Sequence, residues 1–358
     1  MQAGIDAAIR RVLESGQYIL GPEVEAFEHA FAEWLGVGDA IGTGSGTDAI
    51  ELALRACGIG AGDLVFTVSH TAVATVAAIE RAGAVPVLLD IESGGFTIDP
   101  SALEAALRQP PPGRPAAVLP VHLYGEPADL APLLEVARAH GLRVIEDCAQ
   151  SHGAQYRGRM VGSFGDFACF SFYPTKNLGA LGDAGMVTTE DAGLAAAARE
   201  IREYGWRERY VSAVSGINTR LDPIQAAILR LKLPRLGDDN ARRQAIATRY
   251  DDALGELPLD LPCRHAERTH VFHQYVVRTP KRDRLREHLR AARIGTGIHY
   301  PVPVHLQPAY RNVAIGPSGL AETEQACREI LSLPMYPQLG DAAIDCVAAK
   351  FCEFFRAR

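Results

Sequence analysis

The chain has 358 residues, of which 47% are hydrophobic and 22% charged, a balance typical of an ordinary soluble globular protein. Its formal net charge of −7 offers no attraction to nucleic acid or to an anionic membrane surface, so we expect neither partner. No basic segment followed by an apolar core opens the chain, and no run approaches 18 uninterrupted apolar residues. The sequence therefore predicts a cytoplasmic protein with no membrane span.

The seven cysteines are odd in number and widely spaced, and none forms a Cys-x-x-Cys pair. This spacing argues against both a disulfide framework and a zinc site. We therefore predict no bound metal, and a reducing compartment fits the cysteine content best.

In chain order, residues 1–37 have a helical pattern, and up to about residue 205 short apolar runs then alternate with helical segments. The predicted strands are 63–69, 85–91, 116–123, 143–147, 167–172 and 186–189. Their apolar residues are continuous and do not alternate with polar ones. That pattern indicates a mostly parallel sheet covered by helices on both faces, and hence an α/β fold.

Past residue 205, a long helical pattern runs from Pro223 towards Leu254, with a bend predicted at Pro234. The remainder has a strand-like segment at 275–278 and a charged helix around 283–292. The length of the chain is compatible with two domains or with one large domain and a satellite. We predict a large cofactor-binding domain over residues 1–240 and a smaller C-terminal α+β domain over residues 241–358.

A single lysine, Lys176, follows the buried strand 167–172 in a turn that contains Pro174 and several glycines. This position puts an amine at the carboxyl end of a strand, where open α/β sheets bind ligands. A partly desolvated lysine can keep its amine neutral and form a Schiff base with a carbonyl. Taken alone, Lys176 is better explained as a surface lysine in a loop, and only the neighbouring motifs favour a catalytic role.

A glycine-rich turn at Gly44, Ser45, Gly46 and Thr47 opens a helix. The free N–H groups and the positive end of the helix dipole suit a phosphate, although a capped turn without a ligand has the same sequence. A dinucleotide fits poorly, because Thr47 stands where the third glycine of that motif belongs.

Four further residues are candidates for the same ligand. Asp147 ends the strand 143–147 and is either a helix cap or a carboxylate beneath a pyridine ring, where it would keep the ring nitrogen protonated. Ser171 offers a hydroxyl to a phosphate or to a neighbouring carbonyl. Asn218 and Arg220 precede the long helix, where a cap and a solvated charge would explain them as well.

The order and spacing of these motifs resemble the DegT/DnrJ/EryC1/StrS family of pyridoxal-phosphate-dependent sugar aminotransferases, which have fold type I. The similarity covers nearly the whole chain from Gly21 onward. The matching segments are GSGTDA at 44–49, EDCAQSHGA at 146–154, SFYPTKNLGALGDAG at 171–185, GINTRLDPIQAA at 216–227 and the shorter HYP at 299–301.

The resemblance implies pyridoxal 5′-phosphate as cofactor. Lys176 would bond to the cofactor aldehyde and later carry a proton between the substrate and the cofactor. Asp147 would pair with the pyridinium nitrogen, and Gln150 would bond the ring hydroxyl or the phosphate side. The phosphate would be held by small and hydroxyl residues of two segments: Gly46, Thr47 and Ser171.

The resemblance also implies a homodimer with shared active sites, in which Asn218 reaches the cofactor phosphate of the neighbouring subunit and Arg220 lies nearby. His299 and Tyr300 would lie near the substrate. The implied reaction moves an amino group from L-glutamate to a 3-keto or 4-keto deoxyhexose linked to a nucleoside diphosphate, for amino-sugar biosynthesis.

One position departs from the family pattern. Many relatives have an aromatic residue that stacks on the cofactor ring where this chain has Ala72. Either another side chain covers the ring, with His70 as the nearest candidate, or the ring face is left open to a bulkier substrate.

Three other functions are compatible with parts of the pattern to different degrees. The amino acceptor could be a keto-cyclitol of the kind used in aminoglycoside assembly, which nothing in the sequence excludes. A related dehydratase would replace Lys176 by histidine, and some relatives add cysteine ligands for an iron–sulfur cluster, neither of which is present. A regulator that binds the cofactor without turnover would usually bring a DNA-binding segment, and no basic helix is visible.

Overall fold

The computed structural model describes residues 1–356, in which strands and helices alternate over most of the first 200 positions. The α-helices are Gln2–Ser15 (α1), Pro22–Leu35 (α2), Gly46–Ala56 (α3), Val73–Arg81 (α4), Pro100–Arg108 (α5), Leu130–His140 (α6), Ala192–Arg202 (α7), Pro223–Lys232 (α8), Leu236–Leu254 (α9), Arg282–Ala291 (α10), Ala321–Glu329 (α11) and Asp341–Arg356 (α12). The β-strands are Asp39–Thr43 (β1), Asp63–Val68 (β2), Val85–Leu89 (β3), Arg114–Val118 (β4), Arg143–Asp147 (β5), Gln155–Tyr156 (β6), Arg159–Met160 (β7), Phe167–Ser171 (β8), Gly185–Thr189 (β9), Trp206–Glu208 (β10), Val211–Ser212 (β11), Arg268–Thr269 (β12), Tyr275–Arg278 (β13), Ala314–Ile315 (β14) and Ile330–Leu333 (β15).

Eight strands form the central sheet, in the order β1, β9, β8, β5, β4, β2, β3, β14. All neighbouring pairs from β8 to β14 are parallel, whereas β9 is antiparallel to both β8 and β1. The predicted mostly parallel sheet is therefore confirmed. Because β9 alone among the eight is reversed, the carboxyl ends of β1, β2, β5 and β8 lie at one edge, where the site residues gather.

Helices cover the sheet on both faces, and the side chains of β8 show why. Phe167 and Cys169 belong to one buried apolar cluster, with α3 and α7, whereas Ala168 and Phe170 belong to another, with α2 and α8. Successive residues of a strand point to opposite faces, so a strand buried on both needs a continuous apolar sequence.

A third apolar cluster joins α9, α10 and α12 to the two-stranded sheet of β13 and β15. The long helical pattern is interrupted at Pro234, as predicted, by a 3₁₀ turn between α8 and α9. The predicted domain boundary at residues 240 and 241 falls inside α9, and β14 from the C-terminal third completes the central sheet. No helix within residues 1–356 combines the length and apolarity needed to cross a membrane.

Candidate active site

A cavity of about 270 Å³ opens at this edge of the sheet, between the carboxyl ends of β5 and β8 and the first turns of α3 and α4. Six of the predicted cofactor residues line it together: Gly46, Thr47, Asp147, Gln150, Ser171 and Lys176. They come from three separate stretches of the chain, so the fold alone brings them into one place.

The first turn of α3 forms one end of the cavity. Ser45 caps the helix by accepting a hydrogen bond from Asp48 N at 3.2 Å. The N–H groups of Gly46 and Thr47 precede the first intrahelical hydrogen bond, which Ala49 N donates to Ser45 O. Two unused donors at the positive end of a helix dipole, beside the Ser171 hydroxyl, make this end suitable for a phosphate.

Gly46 is required there by a close approach of two chain segments. A Cβ at position 46 would lie 2.6 Å from Ser171 Cβ, too close for two carbon atoms. Glycine therefore lets the helix N-terminus and the end of β8 meet at the ligand end of the cavity.

We expect Gly46→Ala to weaken cofactor binding about tenfold or more, because overpacking of this kind costs about 1–3 kcal/mol and moves the donors. Visible-absorbance titration of the cofactor-free protein measures the dissociation constant. Gly237→Ala is the matched control, since a Cβ there meets no atom within 4 Å. Equal affinities of the two variants would contradict the role of the close approach.

Asp147 ends β5 and is held by two donors. Thr75 Oγ1 donates to its Oδ2 at 2.9 Å, and Ala149 N donates to its Oδ1 at 3.1 Å. Burial raises the pKa of the Asp147 carboxyl, and the two hydrogen bonds and the charge of Lys176 act in the opposite direction. A buried carboxylate of this kind gains from a protonated nitrogen placed against it.

Lys176 lies five residues beyond the end of β8, in a turn closed by a hydrogen bond from its own N–H to Tyr173 O at 2.8 Å. Burial lowers the pKa of its amine to about 8, and the negative charge of Asp147 partly offsets that shift. The neutral form, which a nucleophile and proton carrier needs, is therefore about a tenth of the amine at pH 7, far more than for an unshifted lysine.

This pKa predicts a pH profile for the cofactor-free protein. The neutral fraction of the Lys176 amine should rise about tenfold per pH unit below pH 8 and then level off. The rate at which trinitrobenzenesulfonate modifies Lys176 follows this neutral fraction, and peptide mass spectrometry measures it. The exposed Lys350 is an internal control, because its hydrogen bond to Glu353 raises the pKa of its amine and its rate should climb beyond pH 10. A Lys176 rate that also climbs beyond pH 10 would contradict the shift.

Gln150 lines the cavity with its side-chain amide fixed in one orientation. Its Oε1 accepts from Tyr124 N at 2.7 Å, and its Nε2 donates to Tyr300 Oη at 2.8 Å. A backbone N–H only donates, so the oxygen has to face Tyr124. The second N–H of the amide remains available to an acceptor in the cavity.

His70, the candidate for covering the cofactor ring, lies outside the wall of the cavity. Its side chain is fully buried, with Nδ1 3.2 Å from Cys327 Sγ and Nε2 3.0 Å from Tyr124 Oη, and it does not line the cavity. Both ring nitrogens are thus engaged away from the ligand space. Ala72 does line the cavity, so at that position the wall is small.

The predicted substrate residues and Asn218 lie around the cavity and not in its wall. Tyr300 reaches its edge through Gln150, whereas His299 bonds Ser332 Oγ at 2.8 Å and lines a neighbouring cavity of about 320 Å³. Asn218 is exposed, and Arg220 lies 4.0 Å from a Glu203 carboxylate oxygen. Within one chain, Asn218 and Arg220 do not reach the cavity described above.

Two residues that shape the site are missing from the sequence-based predictions. Thr75, in the first turn of α4, supplies the hydroxyl that orients Asp147. Its only visible signal was the spacing of four residues from Thr71, whose hydroxyl lies 3.0 Å from that of Thr75. Tyr124 is the second, and its hydrogen bonds to His70, Gln150 and His299 join segments far apart in sequence.

A compact group of possible metal ligands lies just below Asp147. Ligand atoms of His122, Glu146 and Cys148 lie within 4.8 Å of one another. Each histidine nitrogen already has a partner, since Nδ1 accepts from Ala128 N at 3.0 Å and Nε2 lies 3.1 Å from Glu146. The carboxylate also accepts three backbone N–H groups, which gives this group a structural explanation.

The residues of the cavity fit pyridoxal phosphate. The helix N-terminus at Gly46 suits the phosphate, the buried Asp147 carboxylate suits a protonated ring nitrogen, and the Lys176 amine suits the aldehyde. A cradle too tight for a Cβ at position 46 is consistent with a ligand that approaches the backbone closely.

Comparisons with known proteins agree with this chemistry. The sequence model of the "DegT/DnrJ/EryC1/StrS aminotransferase family" matches residues 1–352. The chain is 47% identical over 98% of its length to the "Erythromycin biosynthesis sensory transduction protein EryC1" of Saccharopolyspora erythraea, covering 94% of that protein. It is 48% identical to the "dTDP-3-amino-3,4,6-trideoxy-alpha-D-glucose transaminase" of Streptomyces venezuelae, over 95% of this chain and 89% of that one. The crystal structure of S. venezuelae DesV in complex with a ketimine intermediate superposes with a TM-score of 0.95 at 46% identity, covering 100% of this chain and 95% of that chain.

Proposed function

Because the chain belongs to the DegT/DnrJ/EryC1/StrS aminotransferase family, we propose that it moves an amino group from L-glutamate to C3 of a keto sugar linked to a nucleoside diphosphate. It is a pyridoxal-phosphate-dependent aminotransferase with the fold type I architecture. The observation that carries the proposal is the convergence of Lys176, Asp147 and the α3 N-terminus on one cavity. The choice of C3 and of a nucleotide-linked sugar is supported by the printed name of the S. venezuelae transaminase.

Bound pyridoxal phosphate supplies a sink for the electron pair left behind when a substrate carbon loses its proton. The chain supports that chemistry at three places. Gly46, Thr47 and Ser171 would offer N–H and hydroxyl donors to the phosphate, Asp147 would keep the ring nitrogen protonated through its negative charge, and Lys176 would carry the proton.

Lys176 Nζ is the proton carrier. In its neutral form it would accept the proton from the carbon of the amino donor, and as the ammonium ion it would give that proton to the cofactor. In the second half of the reaction it would carry a proton from the cofactor to the substrate carbon. An amine whose pKa is about 8 serves both directions near neutral pH, because neither protonation state is scarce.

The experiment that tests this function runs the reaction in both directions. The holoenzyme is incubated with ¹⁵N-labelled glutamate and a panel of nucleotide-linked and free keto sugars, and the products are identified by mass spectrometry. In reverse, a nucleotide-linked 3-amino sugar and 2-oxoglutarate should yield glutamate. Lys176→Ala is the control. We expect labelled amine on the nucleotide-linked 3-keto sugar, and no transfer to any member of the panel would contradict the function.

Two alternatives are outcomes of the same experiment. A labelled amine found only on a free keto-cyclitol would replace the nucleotide-linked acceptor. The name of the EryC1 relative raises a regulatory role, which predicts cofactor binding without exchange of nitrogen between glutamate and 2-oxoglutarate. The Lys176 and Asp147 pair favours turnover, because cofactor binding alone requires no proton carrier.

We also propose that the protein works as a homodimer with shared sites in the cytoplasm. Tyr173 and Leu181 are each more than half exposed beside the cavity, and large apolar side chains of this kind favour a protein partner. A second copy placed there would bring its exposed Asn218 within reach of the cofactor phosphate. The seven cysteines, none of them paired in residues 1–356, support a reducing compartment.

Mixing two defective variants tests the shared site. Asn218→Ala should weaken phosphate binding in its partner's cavity, and Lys176→Ala should abolish turnover in its own. Mixed dimers would contain one cavity with both residues intact. Turnover regained on mixing, at cofactor concentrations that leave Asn218→Ala inactive, supports sharing. No gain after subunit exchange has been verified by mass spectrometry would contradict it.

A further inference from the structure

A chain of buried hydrogen bonds runs from α11 to the edge of the cavity. Cys327 Sγ lies 3.2 Å from His70 Nδ1, and His70 Nε2 lies 3.0 Å from Tyr124 Oη. Tyr124 Oη in turn donates to the carbonyl oxygen of His299 at 3.2 Å. The segments it links are separated in sequence by 54, 175 and 257 residues.

The donor and acceptor of each of these hydrogen bonds follow from the last acceptor, the His299 carbonyl. A carbonyl only accepts, so the single hydrogen of the Tyr124 hydroxyl points to His299 O. His70 Nε2 must therefore carry a hydrogen and donate to Tyr124, which leaves Nδ1 as an acceptor for the Cys327 thiol. Burial favours the neutral forms this requires: it lowers the pKa of His70 to about 3, raises that of Cys327 to about 12, and raises that of Tyr124 well above its usual value.

The series of hydrogen bonds ends at His299, where the neighbouring backbone is in an uncommon conformation. Tyr300, the next residue after His299, has φ of 66°, and Tyr124 has φ of 59°. Non-glycine residues in this region cost free energy and persist only where their surroundings hold them. Their two rings lie nearly parallel with centroids 6.3 Å apart, and Gln150 bonds the backbone of one and the hydroxyl of the other.

Tyr300 is left with an unused donor. Its hydroxyl accepts from Nε2 of Gln150, a residue of the cavity wall, which fixes the position of the oxygen. No acceptor for its own hydrogen is present among residues 1–356. A hydroxyl that is held in place and whose hydrogen has no acceptor is suited to donate to a ligand oxygen.

We propose that His70 and Tyr124 are positioning residues that hold Tyr300 in place through the His299 carbonyl, so that Tyr300, which the family resemblance places near the substrate, can donate this hydrogen to an oxygen of the acceptor. The proposal rests on the function given above, in that the ligand is the sugar nucleotide. The oxygen belongs either to the sugar or to the diphosphate, and both sources present the same acceptor chemistry. His70 thus acts through Tyr124, and not by contact with the cofactor.

Tyr124→Phe removes the link and keeps both the ring and the backbone N–H to Gln150. We expect a three- to tenfold higher dissociation constant for the sugar nucleotide, as for one lost hydrogen bond. Cofactor affinity and the rate of the glutamate half-reaction should change less than twofold. Phe96→Leu is the matched control, because the Phe96 ring packs 5.0 Å from Tyr124 and 5.7 Å from His70 without hydrogen bonds to either.

A double-mutant cycle tests whether the effect passes through Tyr300. In a Tyr300→Phe background, Tyr124→Phe should no longer change the affinity, since the donor it positions is gone. If Tyr124→Phe also weakens binding of the nucleoside diphosphate alone, the bonded oxygen belongs to the phosphates. If it weakens binding of the sugar nucleotide only, the oxygen belongs to the sugar. Additive effects, or an equal loss in Phe96→Leu, would overturn the proposal.

Hydrogen exchange of the holoenzyme without substrate separates this proposal from the proposed function. Tyr124→Phe should speed amide exchange in residues 297–301, and Phe96→Leu should not. Unchanged exchange there would overturn the positioning role whatever the substrate. Faster exchange in an enzyme that accepts no keto sugar would refute the acceptor and keep the positioning role.

Discussion

Lys176→Ala should lower turnover at least about 10⁴-fold, because it removes both the amine that bonds the cofactor and the carrier of the proton. The variant should still bind the cofactor, since the donors at Gly46 and Thr47 and the Asp147 carboxylate are untouched. Single-turnover measurement of 2-oxoglutarate released from glutamate gives the rate. Small primary amines added in solution should restore part of it, as they replace the missing group in an open cavity.

Lys232→Ala is the matched control for this loss. Lys232 is a second half-buried lysine whose pKa is lowered by burial, and it donates to Gly179 O at 2.6 Å in the same loop region. Its removal should change turnover no more than a few-fold. If Lys176→Ala keeps turnover within tenfold of the wild type, the proton carrier is another group and the mechanism given above is wrong.

Asp147→Asn should have the second largest effect, a loss of turnover of about 10²–10³-fold, because a fixed charge is removed where positive charge must be held. Asparagine keeps the size and one acceptor oxygen, which Ala149 N can use, and its amide nitrogen can donate to the Thr75 hydroxyl, but the charge is lost. Burial raises the pKa of the Asp147 carboxyl, so the ionised form costs folding free energy and a neutral side chain does not. The free energy of unfolding should therefore stay level or rise by about 1 kcal/mol.

Glu146→Gln distinguishes this effect from the loss of any buried carboxylate. Burial alone would raise the pKa of Glu146, but the hydrogen bonds from His122 and from the Gly162 and Gly165 amides hold it below its usual value. Removal of the Glu146 charge should lower the free energy of unfolding by about 3 kcal/mol. The folded variant should keep most of its turnover per bound cofactor. Thermal unfolding and steady-state kinetics of the two variants measure both quantities. The opposite pattern, with Asp147→Asn active and unstable, would contradict the assignment.

The apolar runs predicted the sheet because each parallel strand is buried on both faces, a property that local sequence records. The positions of Lys176 and Asp147 at strand ends followed from the same pattern, since the carboxyl ends of parallel strands meet at one edge. The motif resemblance supplied their chemistry. The convergence of six predicted residues on one cavity required the order β8, β5, β4, β2 in the sheet, which no local pattern specifies.

His70 shows what local sequence could not supply. Proximity to Ala72 in sequence suggested a ring-stacking role, but the side chain turns towards Cys327, 257 residues away, and towards Tyr124. Thr75 was missed for a related reason, because a threonine in an apolar helix looks like any half-buried position. Both depend on contacts between distant segments, which only the folded chain displays.

The most direct test of the central claim is to trap the bond between the chain and the cofactor. The holoenzyme is reduced with borohydride, digested, and mapped by mass spectrometry across the four lysines of the chain, Lys176, Lys232, Lys281 and Lys350. A phosphopyridoxyl group on Lys176 alone is the predicted result. Attachment to another lysine, or none after saturation with pyridoxal phosphate, would contradict it.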